Sequence, residues 1–582
     1  MNPEKSKIPV PLLFDGAFGT YYFALTSDAN PCELANLTDR EAVLRIHREY
    51  LAAGVNAIKT NTFGANPVLV ADAAELHRLI AAGWSIAQEA VKDTPVRVFA
   101  DIGCNDSDNA EQDYLTVAQI FLDLGARDFL FETLAAYEEI VPALALIKKI
   151  APESTVIVSF AVSQDGYTKR GLHYKALLHE AVQNENVDAA GLNCVCGPSH
   201  MLKLVGSLDM TSKPLTAMPN SGYPSSLNGR IIFEDNADYF AKKLADLYAA
   251  GVDVLGGCCG STPRHIRLGV QAIAAAKRSP KATLKRTETA KPKSPTDSVL
   301  VRHHKIIAVE LDPPLDYDCS FILSASAELK ECGADMITIA DSPLSRTRAD
   351  SIMTAAKIKR EVGIEVLPHL SCRDKNYIAL KAGLLGAAFE GINRVLVITG
   401  DPPPPSETRK SDGVYNFNSY NLISYINSMN EEVFADSPFL IGGALNVNAV
   451  NFSAELRRAQ IKLERGAKML LTQPIFSDAA VENFLLAKKT LDCKLLAGIL
   501  PVAGYKNAVF LINEVSGIEI PESVVQSLRD KSPEEAAEIS TAYSVGIINR
   551  IYDAADGFYI MTPLKKVNIV RGLIKEIRRN AQ

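Results

Sequence analysis

The sequence has no surplus of basic residues: 61 Lys and Arg stand against 68 Asp and Glu, a net charge of −7. That excludes the global positive footprint of a nucleic-acid binder. It has no apolar run long enough to span a bilayer. The polar stretch Met1 to Lys7 lacks the apolar core of a secretion signal. These absences predict a cytoplasmic protein with no membrane partner. In that reducing compartment the ten cysteines are expected as thiols or metal ligands, not disulfides. There is no Gly-x-Gly-x-x-Gly loop in a strand–helix context, so no Rossmann module is expected. The two halves share no long self-similar repeat.

What is present is a soluble composition, 47% hydrophobic and 22% charged, in a chain of 582 residues. That length is too great for one ordinary core and predicts two or more domains. From Pro11 onward, short apolar runs alternate with segments of helical period. They are Leu12–Phe14, Ala57–Thr60, Val96–Ala100, Phe129–Phe131, Val156–Phe160, Ala189–Leu192, Pro214–Ala217 and Val252–Leu255. Eight strand–helix units in this span are what a closed (β/α)8 barrel needs. Polar residues follow the runs: Asp15, Asn61, Asp101, Glu132, Asn193 with Cys194, and Cys258 with Cys259. In a barrel all of them reach the C-terminal rim, where active sites of this architecture form.

From Lys277 to Ser298 basic residues and prolines replace the apolar pattern, which reads as a solvated linker. A second series of eight runs follows, from Ile306–Val309 to Phe558–Ile560, and again polar residues come after the runs. The last interval, Asn507 to Asp556, is long enough for two or more helices. The fold class is therefore α/β: two (β/α)8 TIM barrels joined by a polar linker. The domains are residues 1–276, 277–300 and 301–582.

The densest chemistry lies in Leu255-Gly256-Gly257-Cys258-Cys259-Gly260. Neighbouring side chains on a strand point to opposite faces, so both thiols converge only if the strand breaks into a turn. The flanking glycines allow such backbone. Zinc accepts thiolates in tetrahedral geometry, and Cys194, two strands away on the rim, supplies a third. Cys196 is a candidate fourth. Three thiolates with one open position would be a catalytic arrangement, because structural zinc sites are closed by four protein ligands.

These cysteines, with Asp15-Gly16, Gly19-Thr20, Thr60-Asn61-Thr62-Phe63, Glu132-Thr133-Leu134 and Gly191-Leu192-Asn193-Cys194, resemble the homocysteine S-methyltransferase family over residues 8–275. The resemblance implies Zn2+ on Cys194, Cys258 and Cys259, with the homocysteine sulfur as fourth ligand. It implies that Asp15 and Glu132 hold the substrate amino group.

In the second series, Glu310-Leu311-Asp312-Pro313-Pro314, His369-Leu370-Ser371-Cys372-Arg373, Gly400-Asp401-Pro402-Pro403, Gln473-Pro474-Ile475-Phe476 and Leu500-Pro501-Val502 resemble the methylenetetrahydrofolate reductases over residues 303–575. That family uses FAD, reduced by NAD(P)H. The resemblance implies Glu310 as general acid and Asp401 as a catalytic carboxylate near flavin and folate. It implies Gln473 and Tyr505 as substrate contacts, and His369, Glu455 and Lys462 as cofactor contacts. Glu455 and Lys462 would otherwise be a solvated helix face. Ile339-Ala340-Asp341-Ser342 departs from the family pattern and leaves one flavin contact open. The chain ends soon after the eighth run, so no regulatory domain of the animal type is expected.

Together the resemblances imply a bifunctional enzyme with homocysteine and tetrahydrofolate derivatives as partners. The alternative is one catalytic barrel beside a binding or assembly module. No cobalamin module or third barrel is recognisable. The methyl donor therefore stays open, a cobalamin protein acting in trans being one source. A homo-oligomer also stays open.

Overall fold

The computed structural model describes residues 8–107, 109–208, 213–227, 230–233, 235–278, 305–401, 413–515 and 518–579. The chain divides into two compact units, Met1–Glu288 and Thr289–Gln582. The expected linker lies outside the described residues, apart from Lys277 and Arg278.

In the first unit the strands are Leu12–Leu13, Ala57–Lys59, Arg97–Ile102, Asp128–Leu134, Thr155–Phe160, Ala189–Asn193, Leu215–Met218 and Val254–Leu255. They form one parallel series, the first strand pairing with the eighth. A parallel bridge from Phe14 to Ala57 joins the first strand to the second and completes the ring. Helices follow the strands because their apolar residues recur at helical spacing and their starts are capped. Asp39 accepts from Ala42 N ahead of Arg40–Ala52, and Asp72 accepts from Glu75 N ahead of Ala73–Ala90. An antiparallel pair, Ser225–Leu227 with Arg230–Ile232, interrupts the strand–helix alternation after the seventh strand.

The barrel interior has a fully apolar layer with a residue from each strand or its end: Phe14, Ala57, Phe99, Leu130, Ile157, Ala189, Met218 and Val254. Side chains two positions further along a strand face the same way. They are Lys59, Asp101, Glu132, Ser159 and Gly191, all buried. Burying an apolar side chain would contribute about 1.5–3 kcal/mol at each such position. Charged residues forgo that gain, so stability alone does not account for this layer.

The second unit is a closed barrel of Ile306–Leu311, Met336–Ile339, Glu365–Ser371, Arg394–Ile398, Leu440–Leu445, Met469–Pro474, Lys494–Ile499 and Gly557–Met561, paired in sequence order. Its interior layer includes Ala308, Met336, Leu367, Leu396, Leu440, Leu471, Leu496 and Tyr559. Two positions on come Glu310, Thr338 and His369, and the register shifts between Leu471 and Pro474, around Gln473. Among its described residues the interval before the last strand holds three helices, Tyr505–Glu514, Glu522–Ser527 and Pro533–Ile551. They enclose a small core of their own around Phe476, Val502, Ile520 and Leu528. No helix among the described residues is long and apolar enough to cross a membrane.

Gly191 is a point where strands approach closely: a Cβ there would lie 1.9 Å from the Thr216 carbonyl oxygen. The obstacle is backbone, so Gly191→Ala should cost at least the 1–3 kcal/mol typical of overpacking, about 3 kcal/mol here. Trp84, the single tryptophan, packs 6.0 Å from Phe121 in this unit and reports on it selectively. The expected result is a lowered urea midpoint by tryptophan fluorescence. An unchanged midpoint would mean that the two strands separate here at little cost.

Candidate active site

At the mouth of the first barrel, the chain leaves the eighth strand as a turn held by its neighbours. Gly257 N donates to Asp15 O at 3.0 Å, and Cys258 N donates to Pro219 O at 2.9 Å. Gly260 has a φ of +78°, whereas Gly256 and Gly257 do not need left-handed backbone. Their smallness serves close approach instead. A Cβ on Gly256 would fall 2.8 Å from Phe14 Cβ, and one on Gly257 would fall 2.3 Å from Ser261 Oγ. Of the flanking glycines expected to allow unusual backbone, Gly260 alone takes it. On the sixth strand's end, Cys194 and Val195 take φ of 56° and 57°, which turns the Cys194 thiol inward.

The sulfurs of Cys194, Cys258 and Cys259 all lie within 4.8 Å of one another. Cys194 and Cys259 are 3.7 Å apart. Three sulfurs at 2.3 Å from a tetrahedral zinc would be about 3.8 Å apart, so the trio fits that ion. Cys196 does not join them, since its thiol donates to Val162 O at 3.0 Å.

Buried carboxylates share this mouth. Asp15 accepts from Lys59 N at 3.1 Å through Oδ2, and its Oδ1 has no hydrogen-bond partner among the described residues. Burial pushes the Asp15 carboxyl up to about 7, with Lys59 opposing the shift. Glu132 is held by the Lys59 ammonium at 3.3 Å and by Asn193 Nδ2 at 3.0 Å. Lys59 is 6% exposed. Burial disfavours its charge, but Glu132, Asp15 and Asp101 outweigh that and raise its pKa well above the usual range.

At the second mouth, Glu310 receives a hydrogen bond from the Tyr559 hydroxyl, and His369 Nε2 stands 3.6 Å from Glu310 Oε2. Burial raises the Glu310 carboxyl to about 7, against the lowering effect of the Tyr559 bond. His369 is lowered to about 3 by burial, so it is neutral, and its Nε2 has no hydrogen-bond partner among the described residues. Gln473 is exposed at the irregular sixth strand. Asp401 is exposed too, with Oδ2 accepting from Leu344 N at 2.7 Å. The prolines that follow it lie outside the described residues.

Glu455 and Lys462 are buried on the helix Phe452–Glu464, which rules out a solvated face. Glu455 accepts from Asn446 N at 3.2 Å and Lys462 donates to Ala444 O at 2.5 Å, so both hold the end of the fifth strand. Tyr505 lies under the Arg529 guanidinium, 5.6 Å from its ring centre, beside the satellite core. In the departing segment, Asp341 is buried and accepts from Ser371 N at 3.0 Å, tying the second strand to the third. For a flavin, the unpartnered His369 Nε2 fits a ligand edge, and Glu455 and Lys462 are already bonded to backbone.

Three residues carry no role in the motif reading. Lys59 is a lysine inside an apolar run, and that position was its signal. Tyr559 sits in the last apolar run, where nothing marks its hydroxyl. Arg373, 3% exposed, bonds Ser345 Oγ and Asp401 O at 3.0 Å and Ser342 O at 3.1 Å. It thereby joins the loops after the second, third and fourth strands.

Two α/β barrels, one with a three-thiol mouth and one with a half-buried acid, define the class of protein. Residues 12–273 match the homocysteine S-methyltransferase family and residues 297–578 match the methylenetetrahydrofolate reductase family. Each match covers one of the two barrels. Similar curated proteins include a methionine synthase of Mycobacterium tuberculosis, 30% identical over 294 residues, 45% of this chain and 25% of that protein. Another is a methionine synthase of Mycobacterium leprae, 29% identical over 290 residues, 45% of this chain and 24% of that protein. The chain thus spans about a quarter of the length of these relatives. Similar solved structures include the metallated form of the homocysteine methyltransferase MmuM of Escherichia coli, 23% identical with a TM-score of 0.38. That likeness covers 47% of this chain and 97% of the other.

The Glu310 carboxyl rises from an ordinary 4.5 to about 7 on folding, so the folded state holds its proton more tightly. Its stabilising contribution is complete below pH 4.5 and is lost as pH rises towards 7. Glu310→Gln should therefore flatten the decline in second-barrel stability across that window. Hydrogen exchange of second-barrel peptides at several pH values measures this. An unaltered pH slope would contradict the raised carboxyl.

Proposed function

We propose that the chain is a bifunctional one-carbon enzyme. Its first barrel transfers a methyl group to homocysteine, giving methionine, with zinc on Cys194, Cys258 and Cys259. Its second barrel reduces 5,10-methylenetetrahydrofolate to 5-methyltetrahydrofolate with FAD and NAD(P)H. The observation that carries the first half is the convergence of three thiols beside buried carboxylates at one barrel mouth. Bound there, zinc would keep the homocysteine sulfur deprotonated near neutral pH, where a free thiol of pKa about 8.5 is mostly protonated. The carboxylates of Asp15 and Glu132 suit an ammonium group.

In the second barrel, protonation of the folate's five-membered ring would open it, and Glu310 would give that proton. A carboxyl near 7 is half protonated at neutral pH, which suits a general acid. The Tyr559 hydroxyl orients Glu310, and neutral His369 adds no opposing charge. Gln473 would hold the folate and Asp401 would stabilise positive charge at the mouth. Tyr505 would contact substrate, and Glu455 and Lys462 would support the cofactor through the fifth strand's end. FAD, when bound, would pass hydride from NAD(P)H to the methylene carbon.

Metal analysis should give about one zinc per chain, and the visible spectrum should show flavin. Cys258→Ala should remove zinc and homocysteine methylation while flavin reduction by NAD(P)H persists. Equal loss of both activities would defeat the assignment of separate sites. A colourless protein that FAD does not reconstitute would leave the second barrel as a binding module. Glu310→Gln should slow folate reduction by about 10²–10⁴, the usual worth of a general acid, without slowing flavin reduction. A screen with homocysteine identifies the donor among S-methylmethionine, methylfolate and a methylcobalamin protein.

A further inference from the structure

At the second mouth the loops after the second, third and fourth strands meet on one buried guanidinium. Arg373 Nε and Nη2 donate to the carboxylate oxygens of Asp374 at 2.9 and 2.6 Å, which balances its charge within its own loop. Nη2 also donates to Ser342 O at 3.1 Å, and Nη1 donates to Ser345 Oγ and Asp401 O, both at 3.0 Å. Every N–H donor of the guanidinium thus has an acceptor. Gly400, with a φ of +91°, lets the fourth loop come this close. A Cβ there would lie 2.7 Å from Ser371 Oγ and 3.0 Å from Arg373 Cβ.

The turn that Arg373 holds is strained. Ser342, Leu344 and Ser345 have φ of 49°, 54° and 54°, a left-handed backbone that is costly for residues with a Cβ. Two of them bond Arg373, and the third, Leu344, donates its N–H to Asp401 Oδ2 at 2.7 Å. Ser345 Oγ in turn donates to Asp401 O at 2.9 Å. Asp401 is therefore gripped at its carbonyl by Arg373 and at its carboxylate by the turn that Arg373 shapes. An exposed aspartate would otherwise move among rotamers, and this arrangement selects one. Its Oδ1 accepts no hydrogen bond among the described residues, so one carboxylate oxygen remains for a ligand. Ser342 also closes the segment that departs from the reductase pattern, so the departure carries a support for Asp401.

We propose that Arg373 is a positioning residue for folate reduction. Through the turn 342–345 it fixes the Asp401 carboxylate where positive charge develops on the folate. It touches no reacting atom and acts only through Asp401. The assignment rests on the reading of the second barrel as a flavin-dependent folate reductase.

The test has two readouts on the full chain. Without flavin, the Leu344 amide should exchange its hydrogen about tenfold faster in Arg373→Met, with the strand Met469–Pro474 across the barrel unchanged. With FAD bound, flavin absorbance follows the two half-reactions separately. Arg373→Met should slow reoxidation by 5,10-methylenetetrahydrofolate about tenfold or more, while reduction by NAD(P)H stays within about threefold of wild type. Added to Asp401→Asn it should cost less than about twofold more, because residues that act as one unit are not additive. Arg373→Lys should recover little, since one ammonium cannot span three loops. If Arg373→Met does not retain FAD, Ser345→Ala carries the same cycle, with about threefold expected alone and no further loss beside Asp401→Asn. Unchanged Leu344 exchange overturns the proposal, as do additive losses in the double variant, equal slowing of both half-reactions or full recovery by Arg373→Lys. Reduced wild-type flavin that the folate does not reoxidise overturns the reductase reading instead, whatever the Leu344 amide shows.

Discussion

Both barrels depend on the period-two alternation of parallel strands around a filled interior. One layer of mostly apolar residues closes each ring, and the functional side chains on the strands, Tyr559 within the layer excepted, are displaced from it by two residues or lie just beyond the strand's end. Phe99 leads to Asp101, Leu130 to Glu132, Ala308 to Glu310 and Leu367 to His369. The spacing matters because a shift of one residue would turn each carboxylate outward among the surrounding helices. The apolar floor does a second thing. It gives the layer above it a low-polarity base, and this is why the Asp101 and Glu310 carboxyls hold their protons more tightly than usual.

The two mouths manage buried charge in different ways. In the second, one carboxyl meets a tyrosine hydroxyl and a neutral histidine, so a single titrating group is poised near neutrality. In the first, three carboxylates gather around Lys59 next to three thiols. Such a cluster is unsuited to proton transfer at one point and well suited to gripping a cationic group on a ligand. Coulomb attraction is strong there because water is excluded, and the same exclusion makes each missing partner expensive.

Much of this was legible from residue order. The sixteen strands fall on the apolar runs, since a buried parallel strand needs continuous apolar sequence. The cysteine trio was legible because adjacent thiols between glycines have few structural uses. The hairpin at Ser225–Leu227 and Arg230–Ile232 was not, because it lies outside the alternation that organised the reading. Glu455 and Lys462 show the limit for polar residues. Seven apart on a helix, they share a face, but only packing shows that this face is buried against a strand end.

By itself the sequence determined the number of barrel strands, the rim position of the polar residues and the presence of three thiols with a common target. These are local properties, set by side-chain period and by what glycine permits. Only the tertiary structure decided which partner each charge receives. Lys59, Asn193 and Glu132 come from three strands and meet because the barrel closes. Cys196 turns away from the trio, and Tyr559 reaches Glu310 across 249 residues of chain. Pairings of this kind depend on register and closure around the ring, which no single stretch of sequence encodes.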